Sequence, residues 1–313
     1  MFEIKRYEPS HEQAWNDFVA RSKNGTFLFD RRFMDYHSDR FADSSLMILR
    51  KGRIYALLPA NRVGDTLHSH QGLTYGGLLT DAKATAEGVM EAFGALNAWL
   101  RNEGVRRVTY KAMPWIYHRL PAEEDLYALT QVCHARLLTR EISSTILLQQ
   151  PLRFTESRKS GLRKALREGL YMEESGDLAA FWQMLDDNLT SRHHTHPVHS
   201  LDELHLLQGR FPQRIHLYLI YNKEKEPVGG TWVFDTGQVV HTQYIASTEE
   251  GKAHGALDLL FDELINRRYR EGIYLDFGKS TEEGGRVLNE HLIFQKEGFG
   301  GRGVCYDTYE WEP

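Results

Sequence analysis

Cysteine is almost missing from this chain, with only Cys133 and Cys305 among 313 residues. Two lone thiols far apart exclude a disulfide framework and a cysteine-rich zinc site, and two buried, reduced cysteines are expected. Also missing is any run near the roughly 20 apolar residues that cross a bilayer, and the opening MFEIKRYEPSHEQAW lacks the apolar core of a signal peptide. A cytoplasmic protein without a membrane span is the expectation. No excess of positive charge is present either. A formal net charge of −5 gives no whole-molecule attraction to nucleic acid, so DNA is not an expected partner, although a local basic patch stays open. No proline- or serine-rich linker, low-complexity tract or short repeat marks a domain boundary. What remains, 41% apolar, 12% aromatic and 26% charged residues, is the composition of a globular protein long enough for two cores. Asn24-Gly-Thr26 and Asn188-Leu-Thr190 match glycosylation sequons, but a chain without an export signal does not meet that machinery.

Organisation therefore has to come from periodicity. The first half reads as a strand near residues 2–7, a helix at 12–20 and an amphipathic stretch at 29–41. A strand meander follows through SLMILR, RIYALLPANRV and GLTYGGLLT, then a helix at 82–103, a strand at 105–111, a helix at 122–133 and an extended stretch to Leu148. The second half opens with a helix at 157–169, with Leu162, Ala165 and Leu166 inward and a basic stripe outward. Helices follow at DLAAFWQMLDDNLTSR, N-capped by Asp177, and at SLDELHLLQGRF, with a Ser200 to Glu203 capping box. RIHLYLIYN, VGGTWVFDT and QVVHTQYIAST make three strands. A helix at 256–270, the strand IYLDFG, a helix at 286–297 and a last strand GVCYDTYEW complete the order. Each half thus repeats one α/β unit: a mixed, partly antiparallel sheet covered by helices, with a crossover helix between its fourth and fifth strands. The boundary is placed near Pro151, giving domains 1–150 and 151–313.

Phosphate chemistry is suggested where the strand YIAST turns into the following helix. Free N–H groups at a helix start favour a phosphate, and Gly251 and Gly255 permit close backbone approach. This element order, with YIASTEEGKAHGALDLLFDELI after the fourth strand and an LDFG strand followed by a helix ending K-E-G-F-G, resembles the GCN5-related N-acetyltransferase (GNAT) fold. In tandem form it is similar to the FemAB and BioF2-like acyltransferases. The resemblance implies an N-acyltransferase that takes acetyl-CoA or another acyl-CoA as co-substrate. Ile245, Ser247, Gly251, His254, Gly255 and Ala256 would hold the carrier, with the second half as the acyl-donor side and the degenerate first half as the substrate side. It also implies a role for Lys296 in the transfer site. Two positions depart from the pattern: Phe294 stands where simple GNATs often carry a tyrosine that protonates the leaving thiolate, and Glu249 and Glu250 occupy the turn where arginine or glutamine is usual.

The remaining candidates carry alternatives. Asp276 or His196 would accept the amine's proton through water, and Tyr244, His194 and Asn289 would contact substrate. RHHTHPVH, with His193, His194, His196 and His199, is either a polar loop capping helices or an acceptor-side proton carrier. No carboxylate or cysteine at ligand spacing accompanies it, so no metal is expected. The basic stripe is either a solvated face or a phosphate clamp, with Arg158, Lys159 and Arg163 as the candidates. Asp276-Phe277-Gly278 mimics a kinase triplet without the other kinase signatures, and Gly298, Gly300 and Gly303 spell G-x-G-x-x-G in the wrong context. The resemblance implies as acceptor a small-molecule or sugar-nucleotide amine, an amino sugar or cell-envelope precursor. An aminoacyl-tRNA-dependent peptidyl transferase and a non-catalytic ligand-binding module are the other readings.

Overall fold

The computed structural model describes residues 1–193 and 195–313; His194, one of the expected substrate contacts, lies outside the described residues. The chain divides into two compact units. The first comprises Met1–Ile142, Thr281–Val287 and Cys305–Pro313, and the second Ser143–Ser280 and Leu288–Val304. Both are mixed α/β structures, as the alternation of patterns predicts.

In the first unit, Phe2–Arg6, Leu46–Arg50, Arg53–Leu58 and Leu79–Thr80 form an antiparallel sheet in that order. Thr66–His68 pairs antiparallel with Asn61–Val63 and parallel with Arg107–Lys111, whose other edge meets the end of Arg302–Trp311. The helix Ala86–Asn102 buries Val89, Phe93, Leu96 and Leu100, an i, i+4, i+7, i+11 stripe that packs with Leu46, Ile48, Val108 and Tyr110. It starts later than the expected residue 82 because Thr85 caps it, accepting the Gly88 N–H at 3.2 Å. The expected strand at 72–80 shrinks to Leu79–Thr80. Residue 76 lies so near the backbone of Ser69 that a Cβ there would sit 1.4 Å from its carbonyl oxygen. The expected helix at 29–41 is likewise broken, into Arg31–Met34 and short turns on either side. Cys133 is buried, and burial pushes its thiol up to about 11. Cys305, expected to be buried, is exposed, because alternation along its strand turns it outward between the buried Val304 and Tyr306.

In the second unit a sheet runs from the 143–147 end of Arg136–Leu147 through Tyr274–Lys279, Val239–Ser247, Pro227–Asp235 and Ile215–Tyr221 to Tyr171–Glu174. That last strand was not apparent from periodicity. Neighbours are antiparallel apart from Val239–Ser247 and Tyr274–Lys279, which run parallel and are joined by helices, as a crossover requires. Side-chain alternation splits the sheet's residues between two faces. Val233, Val240 and Leu275 pack with Ala165 of the helix Glu156–Arg167 and Leu259, Leu260 and Phe261 of the helix Ala256–Glu263. Leu178–His193 packs on the middle strands and Leu201–Arg210 on Ile215–Tyr221. The Asp177 cap and the Ser200 to Glu203 capping box are both formed, whereas Leu166, expected inward, is exposed.

The helix expected at 256–270 is two pieces, preceded by another. A short helix Glu249–His254 ends at Gly255 in the left-handed conformation (φ 76°), Ala256–Glu263 follows, and Leu264–Arg268 widens into a π turn. Gly255 also lies against Gly161, where a Cβ would meet a carbonyl oxygen at 2.4 Å. Gly255→Ala is therefore expected to lower stability by about 2 kcal/mol or more, since left-handed strain alone is worth about 1–2 kcal/mol. Urea unfolding with an unchanged midpoint would reject this account.

Candidate active site

The register of the two parallel strands creates the site. Val239, Val240 and His241 pair with Tyr274, Leu275 and Asp276, and there the pairing stops, although the first strand continues to Ser247 and the second to Lys279. Two irregularities accompany the divergence. Trp232 faces Tyr244 while Val233 faces Thr242, so Gln243 is a bulge, which resets the direction in which Tyr244 points. On the other strand the ladder with residues 143–147 slips between Asp276 and Lys279, and Gly278 sits there at φ 75°. Beyond the divergence opens a cavity of about 620 Å³ lined by Ile245, Ala246, Ser247, Gly255, Ala256 and Leu257 on one side and Phe277, Leu292, Gln295, Lys296 and Phe299 on the other. Its base is aromatic, with the Phe261, Phe277 and Phe299 ring centroids 4.8–5.9 Å apart.

Lys296 closes one wall. Its ammonium donates to the carbonyls of Gly278 (2.8 Å) and Lys279 (2.9 Å) and to Ser280 Oγ (2.9 Å). The left-handed residue 278 thus belongs to a backbone cradle for this charge. Burial pushes the Lys296 pKa down to about 8, opposed by the nearby Asp276 carboxylate. Asp276 is fully buried. Its Oδ1 accepts from Ser143 Oγ (2.5 Å) and Thr145 Oγ1 (2.7 Å), and Oδ2 lies 2.9 Å from His241 Nδ1. If Asp276 is the carboxylate, His241 presents Nδ1–H to its Oδ2, which leaves Nε2 as the nitrogen open to a proton. His241 sits at the last paired position before the strands part.

Several expected site residues meet at this cavity: Lys296, Ile245, Ser247, Gly251, Gly255, Ala256 and Arg158 all line it. Their contacts differ from the expectation in places. The Gly251 amide already donates to Thr248 Oγ1 at 3.0 Å, and a Cβ there would lie 1.9 Å from the Val228 carbonyl oxygen. Glycine is required at 251 for the short helix to lie on the neighbouring strand, a packing reason separate from the expected phosphate approach. Arg158 is held by Asp258 at 3.0 Å, and burial raises the Asp258 pKa to about 6 against the pull of that guanidinium. Asn289 is the N-cap of the helix Glu290–Gly298, its Oδ1 accepting the Leu292 N–H at 3.0 Å. That corrects the expectation that it projects from the helix face towards substrate.

Other expected residues stand apart from the cavity lining. His196 is exposed and paired with Asp186 at 2.7 Å, Lys159 is exposed beside Glu156, and Arg163 and His254 are not lining residues. Tyr244 bonds His199 Nδ1 at 2.5 Å and stacks near Trp232, and burial pushes its phenol up to about 12. Phe294 is 69% exposed, so that helix position faces away from the cavity. Sequence reasoning did not single out His241, which pairs with Phe234 and Asp276 at the point of divergence and is not itself a cavity-lining residue. It also missed Asn188, which bridges the Ser247 carbonyl (3.0 Å) and the Lys252 ammonium (3.2 Å) and had been met only as a sequon. Among the described residues no cluster of histidine, cysteine and carboxylate has the spacing to hold a metal, and no helix is long and apolar enough to cross a membrane.

Comparison with known proteins extends these observations. Residues 155–284 match the family model of the acetyltransferase (GNAT) domain. No curated protein matches the chain. Among solved structures, FemX is 11% identical over 99% of this chain and 97% of its own, with a TM-score of 0.68. L-PGS from Bacillus licheniformis is 13% identical over 97% and 92%, with a TM-score of 0.58. A tandem GNAT protein from the clavulanic acid biosynthesis pathway is 11% identical over 100% and 98%, with a TM-score of 0.52. The chain has the tandem GNAT fold, and the segment that matches the acetyltransferase (GNAT) domain model lies within its second half.

Proposed function

We propose that this protein is an N-acyltransferase that moves an acyl group from a coenzyme A thioester to an amine, and that the cavity between the diverging strands receives the thioester. The observation that carries this reading is the end of strand pairing at His241 and Asp276, which opens the sheet beside the start of the helix Ala256–Glu263. Small residues there, Gly255 and Ala256, leave room for a narrow carrier arm, and apolar walls exclude water from the carbonyl. The basic-helix route to a transfer RNA has less support, since Arg158 and Lys159 are each held by a carboxylate. The acceptor class supported by the resemblance is an amino sugar or cell-envelope precursor.

The transfer forms a C–N bond, breaks the C–S bond, and needs one proton removed from the amine and one returned to the sulfur. His241, held in one tautomer by Asp276, is the proposed proton acceptor. Lys296 is the proposed donor, turning one N–H from Ser280 Oγ to the sulfur, because a pKa of about 8 lies close to that of a thiol. It takes the place of the tyrosine that Phe294 does not supply. Proximity and orientation in the cavity contribute the rest.

The test is a thermal shift. Acetyl-CoA at 100 times its dissociation constant stabilises by about 2.7 kcal/mol, a rise of about 5–10 °C for a domain of this size. Leu257→Trp and Gln295→Trp, on partly exposed cavity walls, should each abolish the shift while leaving the unliganded melting temperature near its original value. Neither a shift nor thiol release with a panel of acyl-CoAs and amino sugars would end this reading.

A further inference from the structure

A second depression, of about 910 Å³, lies within the first unit, where the C-terminal end of the helix Glu12–Arg21, the hairpin joining Leu46–Arg50 to Arg53–Leu58, and the loop before Ala86–Asn102 come together. Five cations surround it, Arg21, Arg50, Lys51, Arg53 and Lys83, against the carboxylates of Asp17 and Asp81. This is a local excess of positive charge in a chain whose net charge is −5.

The hairpin is built against local preference. Arg50 and Arg53 are direct cross-strand partners, and like charges opposite one another destabilise a ladder. Between them Lys51 takes φ 52° and Gly52 φ 72°, a tight turn whose first left-handed position usually holds asparagine, aspartate or glycine. Neutralisation by neighbours is weak. Arg21 reaches Asp81 only at 3.9 Å and Arg50 reaches Glu91 only at 3.8 Å. Lys51, Arg53 and Lys83 have no ion-pair partner among the described residues. Two guanidiniums are instead laid on rings, Arg21 4.6 Å from the Phe18 centroid and Arg50 5.2 Å from that of Phe2. Stacking fixes the plane of each guanidinium without neutralising it.

We infer that this depression binds the anionic phosphate of a diphosphate or a phosphodiester. Planar guanidiniums bind phosphate oxygens bidentately, lysines add point charge, and an anion relieves the repulsion between Arg50 and Arg53. A concave site of this volume suits a diphosphate or a phosphodiester headgroup better than the face of a duplex. The inference is independent of the acyl-transfer reading, since no residue of the other cavity takes part.

Calorimetric titration of the full-length protein with pyrophosphate at low salt tests the soluble source. Co-sedimentation with phosphatidylglycerol and phosphatidylcholine vesicles, compared with phosphatidylcholine alone, tests the lipid source. Binding in either arm is expected. It should fall with added salt and weaken by about tenfold or more in Lys51→Glu/Arg53→Glu, as expected when attractive charges are reversed. Leu257→Trp should bind as the unmodified protein does. Arg53→Thr, which removes the like-charge pair, should melt no lower than the unmodified protein while losing affinity, which separates a binding role from a folding one. Binding in neither arm, or undiminished binding by the double variant, overturns the inference.

Discussion

Asp276→Asn is expected to reduce acyl transfer by about 10²- to 10⁴-fold, in line with the loss that follows when the carboxylate orienting a catalytic imidazole becomes an amide. The carboxylate accepts from Ser143, Thr145 and His241 at 2.5–2.9 Å in a fully buried position. An asparagine keeps one acceptor oxygen for the hydroxyls, but its NH₂ then confronts His241 Nδ1–H. The imidazole has to change tautomer, which moves its proton to Nε2 and removes the basic nitrogen. The same mismatch lowers stability by about 2–4 kcal/mol, as for other buried charged hydrogen bonds that lose one partner. Urea unfolding gives the stability and single-turnover acylation at saturating acyl-CoA gives the rate. A folded variant that transfers at the original rate would reduce the dyad to a structural strut.

Lys296→Met is the second large effect, with kcat expected to fall about 10²- to 10³-fold, the scale seen when one donor to a developing negative charge is removed. The unmodified enzyme should lose activity as pH rises through about 8, the value to which burial lowers this lysine, because the ammonium is the proposed acid. Stability should move the other way. The folded-state value lies below the ordinary lysine value of 10.5, so between about pH 8 and 10.5 the unfolded chain holds the proton more tightly. Below that window the charged side chain is buried at full cost, and as pH rises through it the penalty disappears. The expected gain is about 3 kcal/mol, from 1.36 kcal/mol per pKa unit. Subtracting the Lys296→Met stability curve from that of the unmodified protein isolates this contribution. A flat difference curve from pH 7 to 11 would show that the cradle of Gly278, Lys279 and Ser280 leaves this lysine's pKa unchanged.

Local chemistry explains how much of the architecture could be read directly. The cap at Asp177 and the capping box at Ser200 act over three or four residues, so the helix starts near them are written in the chain itself. The crossover after Val239–Ser247 was also legible, because two apolar strands separated by an amphipathic helix have one usual way to pair. Failures came where backbone met backbone across long separations. The 72–80 segment alternates like a strand, yet Gly76 serves a close approach to Ser69. Gly251 and Gly255 read as phosphate-binding residues, but each is also required where a backbone carbonyl oxygen lies 1.9 and 2.4 Å, respectively, from a would-be Cβ. Asn289 and Lys296 share a helical pattern, and only the observed helix start shows that the first is a cap.

Residue order alone thus determined most of the helices and strands, their alternation, the crossover and the glycine-rich ending after Lys296, because propensity, capping and hydrophobic period operate within a few positions. The tertiary structure decided which side chains share a site. His241 meets Asp276 across two strands 35 positions apart in sequence, and the ammonium of Lys296 meets carbonyls turned towards it by a left-handed glycine. Neither meeting has a periodic signature, since each depends on strand register and on the direction of individual bonds after the sheet has formed.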